Sequence, residues 1–161
     1  DANTGQELFQ LIGHTNVVRS ARFYADDRRI VSGSDDGTVR IWDVTSRQTL
    51  AELRGHSQGV WSVDVSPNAQ RIVSGGADGT VRLWNAASGE ELAQMTGHTD
   101  RVRSVRFSPD GEQIISASDD GTVRVWDTDS EQALLQLSDH LAPVFALAVD
   151  PDGKRVSFRR W

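Results

Sequence analysis

Histidine is the side chain in this sequence best suited to metal binding or acid–base chemistry. The four histidines, His14, His56, His98 and His140, are each 42 residues from the next. Because each occupies the same position of a repeat, we expect no two of them to gather as metal ligands. The chain has no cysteine, which excludes cysteine-ligated zinc, a thiolate nucleophile and a disulfide framework. The sequence therefore predicts no metal and no cofactor.

Composition and charge exclude several further classes of function. The 161 residues carry a net charge of -6 from 23 acidic and 17 basic residues, without a polybasic block, so we expect no binding to nucleic acid. No apolar run approaches the roughly 20 residues that cross a bilayer, so we expect no membrane segment. With 37% hydrophobic residues the chain is typical of a soluble globular protein, for which the cytoplasm is the expected location although no signal identifies it.

A repeat of 42 residues runs along the whole chain. The segments "GHTNVVRSARF", "GHSQGVWSVDV", "GHTDRVRSVRF" and "DHLAPVFALAV" align on the histidines, and Trp42, Trp84 and Trp126 keep the same step. Alternating segments such as "TVRIW" indicate strands, and the repeated Asp-Gly pairs indicate tight hairpins. Each unit therefore predicts four short strands and no helix.

Four short strands per unit, with Gly-His early and Trp-Asp late, resemble the WD40-repeat β-propeller family. The Trp-Asp pairs are Trp42-Asp43 and Trp126-Asp127, with Trp84-Asn85 in the second unit. The resemblance implies an all-β WD40-type β-propeller with four blades per chain. The expected divisions are an outer strand over 1–12, blades over 13–54, 55–96 and 97–138, and a shortened fourth blade of three strands over 139–161.

The resemblance also implies a hydrogen-bonded tetrad of His, Ser, Asp and Trp that braces each blade. A Ser, a His and an Asp in one network also describe a hydrolase triad. A catalytic set needs one exposed nucleophile, whereas three equivalent copies beside a buried Trp favour bracing, and no phosphate- or dinucleotide-binding motif is present. We therefore predict that the protein is not an enzyme. The tetrads are His14, Ser32, Asp36 and Trp42; His56, Ser74, Asp78 and Trp84; and His98, Ser116, Asp120 and Trp126.

The two ends of the chain align with different strands of one blade. Residues 1–12 correspond to 43–54, so they predict the fourth strand of a blade whose first three strands end at Trp161. Propellers of this family close by such a shared blade. We expect a homodimer in which two chains form an eight-bladed ring and each outer strand completes the last blade of its partner. The alternatives are a fragment of a larger propeller, a four-bladed monomer, and an architectural or engineered unit whose only partner is itself. The residues assigned to closure are Asp1, Leu8, Leu11, His140 and Trp161.

One rim of the disc is the expected docking surface for proteins or peptides. In the family, the rim positions lie three and five residues after each His and one before each tetrad Asp. Trp and Arg, which are frequent binding hot spots, occupy several of them. The alternative is that Trp61 packs within its blade and the arginines are merely solvated. The predicted rim residues are Arg19, Asp35, Trp61, Arg101, Arg103, Asp119 and Phe145.

Overall fold

The computed structural model describes residues 1–138 and 142–160 and contains fourteen β-strands. Three four-stranded antiparallel sheets follow one another along the chain, and a two-stranded sheet follows them. We call these sheets blades 1 to 4. Blade 1 comprises β1 (Val18–Phe23), β2 (Arg29–Ser34), β3 (Thr38–Asp43) and β4 (Thr49–Arg54); blade 2 comprises β5 (Val60–Val65), β6 (Arg71–Gly76), β7 (Val81–Asn85) and β8 (Glu91–Met95); blade 3 comprises β9 (Val102–Phe107), β10 (Gln113–Ser118), β11 (Val123–Asp127) and β12 (Ala133–Leu137); and blade 4 comprises β13 (Val144–Val149) and β14 (Val156–Arg160).

The Asp-Gly pairs lie in the hairpins between the second and third strands, as expected. Gly79 has φ +74°, a left-handed conformation that side chains other than glycine rarely adopt. A Cβ atom there would also lie 3.0 Å from the carbonyl oxygen of His98 in the next blade. This glycine therefore serves both the tight turn and the close approach of the neighbouring blade.

The hydrophobic core lies between the blades. Val60 and Val63 of blade 2 are fully buried against Gly33 of blade 1, where a Cβ atom would lie 2.6 Å from Val60 Cγ1. Gly75 receives Val102 of blade 3 in the same way. Because two sheet faces must meet to bury these side chains, each blade depends on its neighbour for its apolar contacts.

Hydrogen bonds from the innermost strands fix one blade against the next. The Val63 N–H donates to Ser20 Oγ at 3.3 Å, and the Val105 N–H donates to Ser62 Oγ at 3.2 Å. The Phe107 N–H donates to Asp64 Oδ2 at 3.0 Å. These bonds satisfy donors on strand edges that have no neighbouring strand in their own sheet.

Blade 4 differs from the three strands that we predicted for it. In blade 3, Phe107 pairs with Ile114. The residues 42 positions later, Val149 and Val156, pair with each other in blade 4. The turn between β13 and β14 is therefore as long as the turn between β9 and β10. By the same step of 42, residue 161 corresponds to Asp119 rather than to Trp126. The prediction relied on one matching Trp, whereas the pairing of β13 with β14 sets the register. His140 and Trp161 themselves lie outside the described residues.

The N-terminal segment lies where the outer strand of a preceding blade would lie. Within residues 1–17 no strand forms, although Phe9 and Leu11 are half-buried. The Arg47 guanidinium lies 5.2 Å from the Phe9 ring centre. Ala51, the counterpart of Phe9 one repeat later, lies near Gly89, the counterpart of Arg47. The segment thus packs like an outer strand, without a strand partner in the described part of the chain.

The single chain leaves its first blade uncovered. Val18 is 49% exposed and Phe23 is 61% exposed, whereas their counterparts Val102 and Phe107 are 0% and 6% exposed. Of the other residues assigned to ring closure, Leu8 is exposed, and the amino group of Asp1 donates to the Gln6 carbonyl at 2.7 Å. Within residues 1–138 and 142–160, no helix is long and apolar enough to cross a membrane.

Candidate functional site

The predicted tetrads come together in blades 1, 2 and 3. In blade 3, the Trp126 indole N–H donates to Ser116 Oγ at 2.8 Å, and Ser116 Oγ lies 2.7 Å from His98 Nε2. His98 Nδ1 lies 2.9 Å from Asp120 Oδ2. The corresponding His–Asp distances are 2.8 Å in blade 1 and 3.0 Å in blade 2.

The chemistry of these groups sets the direction of each hydrogen bond. A carboxylate only accepts, so the His98 Nδ1–H donates to Asp120, and in the neutral ring Nε2 accepts from the Ser116 hydroxyl. This is the same order of groups as in a hydrolase triad. Ser116, however, is 0% exposed and its oxygen already accepts the indole N–H, so no substrate can approach it. The arrangement satisfies buried polar groups and presents no nucleophile.

Sequence reasoning missed a fifth member of each network, a threonine. In blade 3 the Thr122 hydroxyl donates to Asp120 Oδ1 at 2.7 Å and lies 3.1 Å from His98 Nδ1. The repeated "DGT" sequence carried the signal. Burial raises the pKa of Asp120, but hydrogen bonds from Thr122, the Thr99 N–H and His98 outweigh burial and hold this pKa below its usual value. The counterparts of Thr122 are Thr38 and Thr80.

Four of the predicted rim residues lie on the innermost strands β1, β5, β9 and β13. Arg19, Trp61, Arg103 and Phe145 come from four successive blades, and we call this set the rim ladder. The Arg19 guanidinium lies 4.4 Å from the Trp61 ring centre, and that of Arg103 lies 4.2 Å from it. Arg103 also lies 5.5 Å from the Phe145 ring centre. Cations and aromatic rings therefore alternate along the ladder at distances typical of cation–π contacts.

Carboxylates on the rim hold the arginines of the ladder in place. Asp35 accepts from Arg19 Nε at 2.9 Å and from Arg19 Nη2 at 2.5 Å, and Asp119 accepts from Arg103 Nε at 2.8 Å. The hydrogen bond from Arg19 lowers the pKa of Asp35, against the smaller opposing effect of burial. The arginines are thus stacked and paired rather than merely solvated.

Arg101 extends the ladder toward solvent. Its Nε lies 3.4 Å from Asp119 Oδ2 and its guanidinium lies 5.4 Å from the Trp61 ring centre. The Arg101 side chain is 43% exposed, against 22% for Arg103 and 11% for Asp119. Arg101 is therefore the most exposed arginine of this surface and lies beside a partly exposed indole.

Sequence reasoning also missed a half-buried carboxylate, Asp64, on innermost strand β5. Burial raises the pKa of Asp64 above its usual value, although the Phe107 N–H and the positive charges of Arg106 and Arg22 oppose this rise. The corresponding positions in blades 1, 3 and 4 are Arg22, Arg106 and Ala148, so the repeat gives no pattern from which an acid could be predicted.

The rim surface consists of aromatic rings and paired charges. In the described ranges, with their gap at 139–141, no three His, Asp or Glu side chains gather as a metal site. The rim ladder combines aromatic area with paired charges, which is the composition of a protein-binding hot spot.

Comparisons with known proteins agree with the repeat architecture. The sequence model of the family described as "WDR90, 4th beta-propeller" matches residues 16–155. A serine-threonine kinase receptor-associated protein from Gallus gallus is 44% identical over 45 residues, which is 28% of this chain and 13% of that protein. The vegetative incompatibility protein HET-E-1 from Podospora anserina is 53% identical over 36 residues, 22% of this chain and 3% of that protein. A U3 small nucleolar RNA-associated protein 15 homolog from Xenopus tropicalis is 54% identical over 37 residues, 23% of this chain and 7% of that protein. Each alignment is about one repeat long, so this chain spans only a small part of these relatives.

Proposed function

Because the chain belongs to the WD40-repeat β-propeller family, we propose that it is a non-catalytic interaction module that docks proteins or peptides on the rim ladder. The observation that carries this proposal is the stacking of Arg19 and Arg103 on Trp61, with Asp35 and Asp119 holding both arginines. Trp and Arg contribute disproportionately to binding energy when they lie together at an interface.

The ladder is organised before a ligand arrives. Side chains that are already stacked and hydrogen-bonded lose little rotamer freedom on binding, which lowers the entropic cost of association. Three arginines and two aspartates line the surface, so it offers donors for carboxylates and acceptors for cations. The ligand that fits is a peptide of mixed charge with an apolar residue that packs beside Trp61.

A selection from a library of peptides of about twelve residues tests the proposal. Peptides that bind the wild-type chain should lose at least tenfold in affinity for Trp61→Ala and Arg103→Ala, measured by isothermal titration calorimetry. Leu92→Ala, which changes an exposed outer-strand residue, is the matched control and should bind normally. Circular dichroism and thermal unfolding verify that the variants fold. Unchanged affinity in both rim variants would refute the assignment.

A second candidate function is self-assembly into a ring, in which the chain is an architectural unit. Two observations favour it: the exposed apolar side chains Val18 and Phe23 on β1, and the N-terminal segment in the place of an outer strand. Two chains would provide eight blades as a homodimer; because blade 4 consists of β13 and β14 in the described residues, the contact would lie between blade faces rather than in an exchanged outer strand. The contact between the two copies is developed below.

A further inference from the structure

We infer that a second copy of this chain docks head to tail, with the outer face of blade 4 of one copy against β1 of the other, so that the rim ladder continues from Phe145 of one copy to Arg19 of the next. This inference rests on the proposed self-assembly, and it adds that each copy contributes a residue to the rim site of the other.

One half of the junction is the β1 face, which consists of Val18, Ala21 and Phe23. The corresponding side chains of β9, Val102 and Val105, are fully buried against blade 2. Val18 is instead 49% exposed, and Phe23 is 61% exposed. The β1 face therefore has the composition of a buried blade face without a covering blade.

The other half is the outer face of blade 4, which consists of Ala146, Ala148, Ser157 and Arg159. All four residues are exposed. On blade 3 the counterparts of Ser157 and Arg159 are Ile115 and Ala117, which are buried against blade 4. A cleft of about 250 Å³ follows this face and is lined by Ala146, Leu147, Ala148, Ser157, Phe158 and Arg159.

The chain already makes this type of contact three times. At each internal junction, the second strand of one blade receives two apolar side chains from the innermost strand of the next, as Gly33 receives Val60 and Val63. The two open faces are the two halves of that contact. Because the two faces are complementary, a second copy can supply each half with its complement, as in a heterologous interface that closes.

Residue sizes at the two faces fit each other. Ala21 is smaller than its counterparts Val63, Val105 and Leu147. The position that it would face holds Arg159, which is larger than its counterparts Gly33, Gly75 and Ala117. In the docked pair the small residue on β1 would lie opposite the large residue on blade 4 and leave room for the aliphatic stem of Arg159.

The order of residues along the rim ladder supports the same junction. Arginine and aromatic residues alternate from blade to blade as Arg19, Trp61, Arg103 and Phe145. Docking blade 4 of one copy before blade 1 of the next places Phe145 beside Arg19, which continues the alternation. Two copies complete it without placing two arginines or two aromatic rings side by side.

The N-terminal segment identifies the occupant more closely. Phe9 packs against Arg47 where the outer strand of a preceding blade would pack. The β1 face therefore needs the inner strands of a preceding blade, and β13 and β14 are inner strands. Blade 4 of a second copy supplies the first two strands of that preceding blade.

Light scattering on a dilution series, with variants on each half of the junction, tests the inference. Val18→Asp alters the β1 face and Ser157→Glu alters the blade 4 face; both side chains are exposed in the single chain, so both variants should fold with unchanged circular dichroism. Leu50→Asp, at a 56% exposed position on outer strand β4, is the matched control. The wild type and Leu50→Asp should have twice the mass of the 17.7 kDa chain.

Mixing the two variants tests the head-to-tail geometry itself. Each variant alone should have the mass of one chain, with at least a hundredfold weaker association. An equimolar mixture should again give twice that mass, because one junction then combines an intact β1 face with an intact blade 4 face. A wild type that stays at 17.7 kDa at 100 µM, larger open assemblies, or a mixture that stays monomeric would overturn the inference. Peptide binding by monomeric Val18→Asp would show that the rim function holds where the junction fails.

Discussion

The substitution Ser116→Ala removes the central group of one buried hydrogen-bond network. Ser116 Oγ accepts from Trp126 at 2.8 Å and lies 2.7 Å from His98 Nε2, and the Ser116 side chain is 0% exposed. Alanine fits the space but leaves the Trp126 indole N–H and His98 Nε2 without a hydrogen-bond partner. We expect the fold to persist with a clear loss of stability.

The magnitude follows from the burial of the two partners. Trp126 is 2% exposed and His98 is 8% exposed, so water cannot readily replace the lost serine. A buried polar group without a partner costs about 1–3 kcal/mol, so the free energy of unfolding should fall by about 3 kcal/mol. For a domain of this size the melting temperature should then fall by about 6–12 °C.

Urea denaturation followed by tryptophan fluorescence measures this loss. Ser88→Ala, at an exposed position, is the control and should change the stability by less than about 0.5 kcal/mol. A double-mutant cycle with Trp126→Phe isolates the hydrogen bond, because phenylalanine removes the indole donor. The double variant should lose less than the sum of the single losses, by about 1 kcal/mol. Additive losses, or a Ser116→Ala variant as stable as Ser88→Ala, would refute the reasoning.

Three further outcomes are expected. Asp120 has a depressed pKa in the folded chain, so its contribution to stability is present above about pH 4, the usual pKa of the unfolded residue, and is lost as the pH falls below that value. Thr122→Val should therefore lower the stability at neutral pH and make it depend less on pH between about 5 and 3, as measured by urea denaturation across that range. Gly75→Ala should destabilise the chain by about 1–3 kcal/mol, because the added Cβ would lie 2.6 Å from Val102 Cγ1; equal melting temperatures in calorimetry would contradict this. A fluorophosphonate probe should leave Ser116 unlabelled in mass spectrometry because the serine is 0% exposed, and a labelled serine would contradict the bracing role.

Two matched variants serve as controls for these outcomes. Thr49→Val, on the exposed outer strand β4, should leave the pH dependence unchanged. Ala117→Gly reverses the Gly75 substitution at the corresponding position of blade 3, where the fold already accepts a Cβ atom. Its loss of stability should come from the lost methyl contacts with blade 4 and the greater freedom of the unfolded backbone.

The prediction of an all-β WD40-repeat architecture is confirmed. It could be made because the same pattern occurs several times in the sequence. Three copies of the hairpin and of the alternating strands point to the same unit, so one ambiguous residue does not change the prediction. The fourth unit lacked that redundancy. There a single match, Trp161 with Trp126, outweighed the register of β13 and β14 in our prediction, and the third strand that we expected does not form in the described residues.

The identity of the site residues could be predicted from the sequence, whereas their contacts could not. His98, Ser116, Asp120 and Trp126 have counterparts 42 residues apart in every full unit, so the members of each network could be predicted. The pairing of Arg19 with Asp35 and its stacking on Trp61 depend on distances between blades, which no local pattern contains. The side-chain chemistry of the rim was therefore readable from the sequence, whereas its geometry was not.

The most direct test of the docking proposal is a ¹H–¹⁵N spectrum of the indole groups during titration with the tightest peptide from the library. The chain has five tryptophans, and Trp61→Phe assigns the resonance of Trp61 by its loss. Saturating peptide should shift the Trp61 resonance, while the resonances of Trp84 and Trp126, whose indoles donate to buried serines, should stay in place. A Trp61 resonance that does not move while the peptide binds would contradict the assignment of the rim ladder as the docking site.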